Sequence, residues 1–242
     1  FGFHSLKSIH VMTEIEKLSF ADRAKHLGDP DFYKVPEKSL IDSLYLQQRS
    51  NKINMDSTLL SSGIYAGEFN LNESEETTHF SIVDEYGNAS SLTTTLNGSF
   101  GSGIIVDGAG FLLNNEMDDF SIQPGYPNMY GLIGGEANAV EPSKRMLSSM
   151  TPTILEKDGN LFMVLGTPGG STIITAVFQT IINVVDYDMS IEQAVNSPRF
   201  HHQWYPDEIK LEKDIAKDSN LIIQLKAMNH QLNFVSSMNR VD

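Results

Sequence analysis

The stretch from residue 152 to residue 184 limits the possible folds more than any other. Two β-prone runs, 152–157 and 161–166, flank Lys157-Asp158-Gly159-Asn160. Asp-Gly between such runs predicts a tight hairpin, because a two-residue hairpin turn needs positive φ at its centre. The second run leads directly into Gly166-Thr167-Pro168-Gly169-Gly170-Ser171. An apolar segment, 172–184, follows, and its Ile, Val, Phe and Ala content is nearly all-round, which predicts a buried helix. Glycines between a strand and a helix let backbone N–H groups converge on an anion. That suits an oxyanion hole for acyl transfer; a plain tight turn would read the same way. The stretch is neither a Walker loop nor a dinucleotide fingerprint, since the Lys and the third glycine are missing.

The flanking regions extend this frame. Residues 5–26 read as an amphipathic helix with Leu6, Ile9, Met12 and Ile15 at helical spacing, stopped by Gly28-Asp29-Pro30. A second helix is expected over 38–48, after Pro36. Residues 50–76 are polar and weakly periodic, as in an exposed linker. Strands are expected at 79–84 and 89–95 around Glu85-Tyr86-Gly87-Asn88, then at 103–106 and 109–114. Residues 123–145 read as a Gly/Pro-rich loop. Ser190 and Gln193 suit a capping box, and a last amphipathic helix is expected near 219–230. Strands followed by buried helices predict a layered α+β fold, of which an αββα arrangement is one form.

Composition excludes several functions. With 17 basic and 31 acidic residues the net charge is −14, which disfavours nucleic acid and anionic membrane surfaces as partners. There is no cysteine, so disulfides, thiolate metal sites and cysteine nucleophiles are ruled out. No apolar stretch approaches the ~20 residues of a membrane-spanning helix. The chain opens on Phe1 rather than Met, which points to a piece of a longer polypeptide.

Several clusters could carry chemistry. Thr77-Thr78 opens a strand behind the acidic run Asn72-Glu73-Ser74-Glu75-Glu76. A threonine hydroxyl becomes a useful nucleophile when its own α-amine serves as base, and that amine titrates near pH ~8. Thr77 is internal, so this role requires prior cleavage of the Glu76–Thr77 bond. Alone, the pair is ordinary strand composition. Glu116, Asp118 and Asp119 could bind an ammonium group or a hard cation, or form a solvated turn. Thr93-Thr94-Thr95 with Asn97, and Ser148-Ser149, are hydroxyl-rich. His201 and His202 are adjacent, which on a strand sends them to opposite faces and argues against joint metal chelation.

Together the segments TTHFSIVDEYGNASSLTTTLNGSFGSGI, LLNNEMDDFS, KRMLSSMTPTI, GTPGGSTIIT and SPRFHHQW resemble the γ-glutamyltranspeptidase family, in family order and spacing. Nearly the whole chain is covered. The resemblance implies an N-terminal-nucleophile hydrolase with an αββα sandwich, partial in this chain. Residues 1–76 would be the end of the large subunit with its linker, and 77–242 the small catalytic subunit, truncated at its C-terminus. The two would form a heterodimer after self-cleavage at Glu76–Thr77. The resemblance further implies transfer of a γ-glutamyl group from glutathione or related compounds to water, amino acids or peptides, without cofactor or metal.

By the same resemblance Thr77 is the nucleophile, and Thr95 the hydroxyl that supports it. Asn97, Glu116 and Asp119 hold the α-amino and α-carboxylate end of the glutamyl group. Position 116 is Glu here where some relatives carry Gln. Ser148 and Ser149 hold the α-carboxylate, Gly169 and Gly170 form the oxyanion hole, and Tyr130 gates a lid within 123–145. The family's carboxylate-binding arginine falls outside these residues, in the remainder of the large subunit. A periplasmic or extracellular location is expected on the same basis. A glutaryl or cephalosporin-type acylase, and an unprocessed non-catalytic fragment, are the alternatives.

Overall fold

A computed structural model describes residues 1–67, 80–98, 100–238 and 241. The described helices are α1 (Leu6–His26), α2 (Glu37–Leu40), α3 (Ser43–Ser50), α4 (Thr172–Val185), α5 (Ile191–Asn196), α6 (Lys213–Ala216) and α7 (Ser219–Ala227). The strands are β1 (Ser81–Val83), β2 (Ala89–Ser91), β3 (Thr153–Lys157), β4 (Asn160–Leu165), β5 (Phe200–His201), β6 (Ile209–Glu212) and β7 (Leu232–Val235). They form two antiparallel hairpins, β1–β2 and β3–β4, and a three-stranded sheet ordered β5-β6-β7. In that sheet β6 and β7 run parallel, joined through α6 and α7 because a parallel pair needs a long crossover.

The β3–β4 hairpin turns where the sequence demands it, with Asp158 at φ 54° and Gly159 at φ 76°. Its inner face meets α4 in a small core of Met163, Leu165 and Val177. The other side of α4 packs toward β5, with Gln179 Nε2 donating to the Phe200 carbonyl at 2.6 Å. The principal core joins Ile9 of α1 to Phe200, Ile209, Leu211, Ile215, Leu221 and Leu225. The α5 capping box is present: Gln193 N–H donates to Ser190 Oγ at 3.2 Å, and Ser190 N–H donates to Gln193 Oε1 at 2.9 Å.

Four expectations need correction. The buried side of α1 is largely polar, whereas Ile15, placed in the expected apolar stripe, is 38% exposed. Burial of Glu14, Glu16 and Lys17 is possible because each is paired. Glu14 accepts from Thr58 Oγ1 and Leu59 N–H and faces Lys17, while Glu16 accepts from His202 N–H and Gln179 Nε2. The helix expected over 38–48 is broken into α2 and α3, because Asp42 caps α3 by accepting from the Leu44 and Tyr45 amides. Residues 50–67 are not an exposed linker: Ile53, Leu59 and Ile64 pack on Leu18 and Ala21 of α1. Residues 103–106 and 109–114 make only an isolated Ile105–Leu112 bridge, as four glycines between 101 and 110 turn the chain at positive φ.

Two contacts lock α1 onto the segment that leads to the site. Gly28 passes so close to the Ala137 carbonyl that a Cβ there would lie 2.1 Å from its oxygen. Asp29 accepts from Arg145 N–H at 2.7 Å and from its guanidinium at 2.6 and 3.1 Å. The Arg145 bonds hold the Asp29 carboxyl down at about 2. No helix among the described residues is long and apolar enough to cross a membrane.

Candidate active site

A cavity of about 740 Å³ opens where the Gly169–Gly170 turn meets the loops around residues 95, 119, 130 and 149. Thr95, Asn97, Asp119, Tyr130, Ser148, Ser149, Gly169 and Gly170 all line it. Eight of the ten residues singled out from the sequence therefore share one space, although up to 75 positions separate them. Thr77 lies outside the described residues. Glu116 shares a 3₁₀ turn with Asp119 without lining the cavity; burial pushes its carboxyl up.

The glycine turn ends β4 and starts α4. Gly169 and Gly170 take φ 139° and 59°, which a side chain disfavours. Ser171 turns away from its helix and donates to Gln203 Oε1 at 2.7 Å. Beside it, the 95–98 turn is drawn tight by Asn97 N–H donating to Thr95 Oγ1 at 2.8 Å. Asn97 sits at φ 67°, a conformation asparagine tolerates better than most residues. Asn115 fixes this turn from outside, accepting from Gly98 N–H at 2.8 Å and donating its own N–H to the Leu96 carbonyl at 3.0 Å.

Residues 127–133 form a compact loop over the cavity. Asn128 Oδ1 accepts from the amides of Tyr130 and Leu132 at 3.0 and 3.1 Å, and Asp118 accepts from Met129 N–H at 3.0 Å. The Tyr130 hydroxyl donates to the Asn97 carbonyl at 3.0 Å. A Cβ on Gly170 would lie 3.0 Å from the Tyr130 ring. The Tyr130 phenol is pushed up by burial and by the charges of Asp119 and Asp118. Gln203 Nε2 donates to the Tyr130 carbonyl at 2.9 Å while its Oε1 accepts from Ser171, so one buried amide ties the 127–133 loop to the glycine turn.

Sequence reasoning missed Asn115, Asn128, Gln203 and Arg23. Arg23, on α1, donates through Nη2 to Ser149 Oγ at 3.0 Å and to the Ser148 carbonyl at 3.3 Å. Burial lowers its guanidinium to about 10, against the pull of Asp119, so it stays a cation at neutral pH. Neither spacing nor composition marks Arg23, because its partners lie 125 and 126 positions away.

Among the described residues, the ring nitrogens of the adjacent histidines already have partners. His201 Nε2 donates to Gln203 Oε1 at 2.8 Å, while His202 Nδ1 accepts from Trp204 N–H at 3.1 Å. His10, Glu14 and His230 lie within ligand distance of one another, but their donor atoms are already used. His10 Nε2 donates to the Asn54 carbonyl at 2.7 Å, His10 Nδ1 pairs with His230 Nε2 at 2.8 Å, and Lys17 Nζ neutralises Glu14 at 3.2 Å.

Fold and site define the class: an α+β fold of the αββα type whose main cavity is built on a strand–glycine turn–helix. A cephalosporin acylase from Bacillus halodurans shares the fold at TM-score 0.80, over 97% of this chain and 40% of that one, at 23% identity. The chain belongs to the gamma-glutamyltranspeptidase family, whose sequence model matches residues 2–242. A glutathione hydrolase proenzyme of Escherichia coli is 49% identical over 226 residues, which is 93% of this chain and 39% of that protein. A solved gamma-glutamyltranspeptidase variant of Helicobacter pylori is 55% identical at TM-score 0.66, covering 68% of this chain and 88% of that one. The chain thus spans about two fifths of the length of the curated relatives it matches.

Proposed function

We propose that the complete protein carrying this chain transfers γ-glutamyl groups from glutathione and related amides to water, amino acids or peptides. The observation that carries this reading is the single cavity in which Thr95, Asn97, Asp119, Ser148, Ser149, Gly169 and Gly170 meet. An anionic carboxylate suits an ammonium, serine hydroxyls suit a carboxylate, and a glycine turn at a helix start suits an oxyanion. Asp119 favours a γ-glutamyl donor over a glutaryl one, since a glutaryl group lacks the amine that a carboxylate would bind.

In this reading Thr77 Oγ first attacks the Glu76 carbonyl; collapse of the adduct breaks the Glu76–Thr77 C–N bond and frees the Thr77 α-amine, which takes the hydroxyl proton, and water then hydrolyses the ester to release the Glu76 carboxylate and restore the Thr77 hydroxyl. That amine then takes the hydroxyl proton as Thr77 Oγ adds to the γ-carbonyl carbon of the donor. The Gly169–Gly170 turn stabilises the tetrahedral oxyanion, whose collapse breaks the amide C–N bond and returns the proton to the leaving amine. Water or an acceptor amine then takes the glutamyl group from the ester. The lid at Tyr130 limits water access and biases the choice between them.

The remainder of a large subunit would complete the protein as a heterodimer. Ile82, Phe100, Ile105 and Phe111 are each more than half exposed, and a broad apolar surface of this kind favours a partner. A periplasmic or extracellular site of action belongs to the same proposal. The test is release of nitroaniline from a γ-glutamyl anilide, with intact mass followed in parallel. Wild type is expected to appear as two pieces, the second starting at Thr77, and to turn over the anilide; Thr77→Ala is expected to do neither. Wild type no more active than Thr77→Ala would overturn the reading.

A further inference from the structure

We infer that Arg23 is a positioning and specificity-determining residue, which acts from behind the cavity wall to aim the Ser149 hydroxyl at the α-carboxylate of the donor. The inference rests on the γ-glutamyl reading above. Its basis is the direction of one hydrogen bond. A guanidinium has only donors, so in the 3.0 Å contact between Arg23 Nη2 and Ser149 Oγ the serine oxygen accepts. The single Ser149 proton is therefore left for another acceptor, and Ser149 lines the 740 Å³ cavity.

Arg23 is not among the residues lining that cavity. It lines a neighbouring space of about 580 Å³, which shares Ser148 and Met150 with the first. The Ser148–Ser149 backbone is thus a partition, with substrate-facing hydroxyls on one side and a half-buried cation on the other. The same Nη2 also holds the Ser148 carbonyl at 3.3 Å, which fixes the peptide that carries both serines. A hydroxyl that accepts from a cation becomes a stronger donor through polarisation. Asp119 lines the same cavity as Ser149, as the anion for an ammonium, and is near enough to Arg23 for the two charges to interact. Arg23 and Asp119 give the site two poles, matched to the zwitterionic end of a γ-glutamyl group.

The test compares two chromogenic donors on the complete protein: the γ-glutamyl anilide and the 4-aminobutyryl anilide, which keeps the amine and the scissile amide but lacks the α-carboxylate. Arg23→Met is expected to raise KM for the γ-glutamyl donor about tenfold or more, the scale of one charge-assisted hydrogen bond. KM for the 4-aminobutyryl donor should stay within about twofold, and kcat for both should change little. Arg23→Lys, which keeps the charge, should restore part of the γ-glutamyl affinity. Equal losses on both donors, no loss on either, or failure of both variants to fold would make Arg23 merely structural and overturn the inference. Wild type inactive on the γ-glutamyl donor would instead sink the underlying reading.

Discussion

Gly170 shows how much one missing side chain decides here. Its φ of 59° costs an L-residue ~1 kcal/mol or more. A Cβ there would also press on the Tyr130 ring at 3.0 Å, and that ring is held by its hydroxyl on the Asn97 carbonyl. Gly170→Ala should therefore lower stability by ~1–2 kcal/mol and cut turnover of a γ-glutamyl anilide at least tenfold, read by denaturant titration and initial rates. Combining it with Tyr130→Ala should give a cost at least ~0.5 kcal/mol smaller than the sum of the two single changes, since the clashing ring is gone. The glycine pair was visible in the sequence because a strand-to-helix turn demands positive φ. The ring above it was not, because Tyr130 reaches the turn only through the fold.

Among the elements, α5 offers the sharpest test of local control. Its six residues bury only Ala194, so packing contributes little and the reciprocal Ser190–Gln193 cap carries much of its definition. Ser190→Ala should cost ~1 kcal/mol of stability without altering kcat or KM, measured by denaturant titration beside the anilide assay. The cap and the β3–β4 turn were legible because each is settled within four residues. The face buried by α1 was not. Apolar spacing marks which residues seek cover, but Glu14, Glu16 and Lys17 are buried because Thr58, Leu59, Gln179 and His202 reach them from elsewhere. Asp42 broke the expected second helix for the opposite reason: its carboxylate served the local amides better as a cap than as a helical residue.

For the whole molecule, buried histidines set the response to acid. Burial lowers His4 to about 4 and both His201 and His230 to about 3; His26 and His202 are lowered as well. Below the ordinary histidine pKa of ~6.5 the unfolded chain takes up these protons while the folded chain does not. Stability is therefore present above pH ~6.5 and declines as pH falls toward 3. Glu16 and Glu116 act the other way, since burial raises their carboxyls and their contributions decline as pH rises above ~4.5. Five histidines outweigh two glutamates, and each net proton is worth ~1.4 kcal/mol per pH unit. The denaturation midpoint should fall measurably between pH 7 and pH 5; an unchanged or higher midpoint at pH 5 would contradict this account.

The sequence alone determined what depends on neighbours: the Asp158-Gly159 turn, the Ser190 cap, the glycine junction before α4, and a motif order specific enough to name a family. These are fixed by φ, by period and by short-range hydrogen bonding. Only the tertiary structure decided which distant groups meet. It placed Thr95, Asp119, Ser149 and Gly170 around one cavity, tied the Tyr130 loop to the glycine turn through Gln203, and put Arg23 behind Ser149 across 126 positions. A polar side chain carries no local sign of its partner, because the energy that buries it exists only once both ends are brought together.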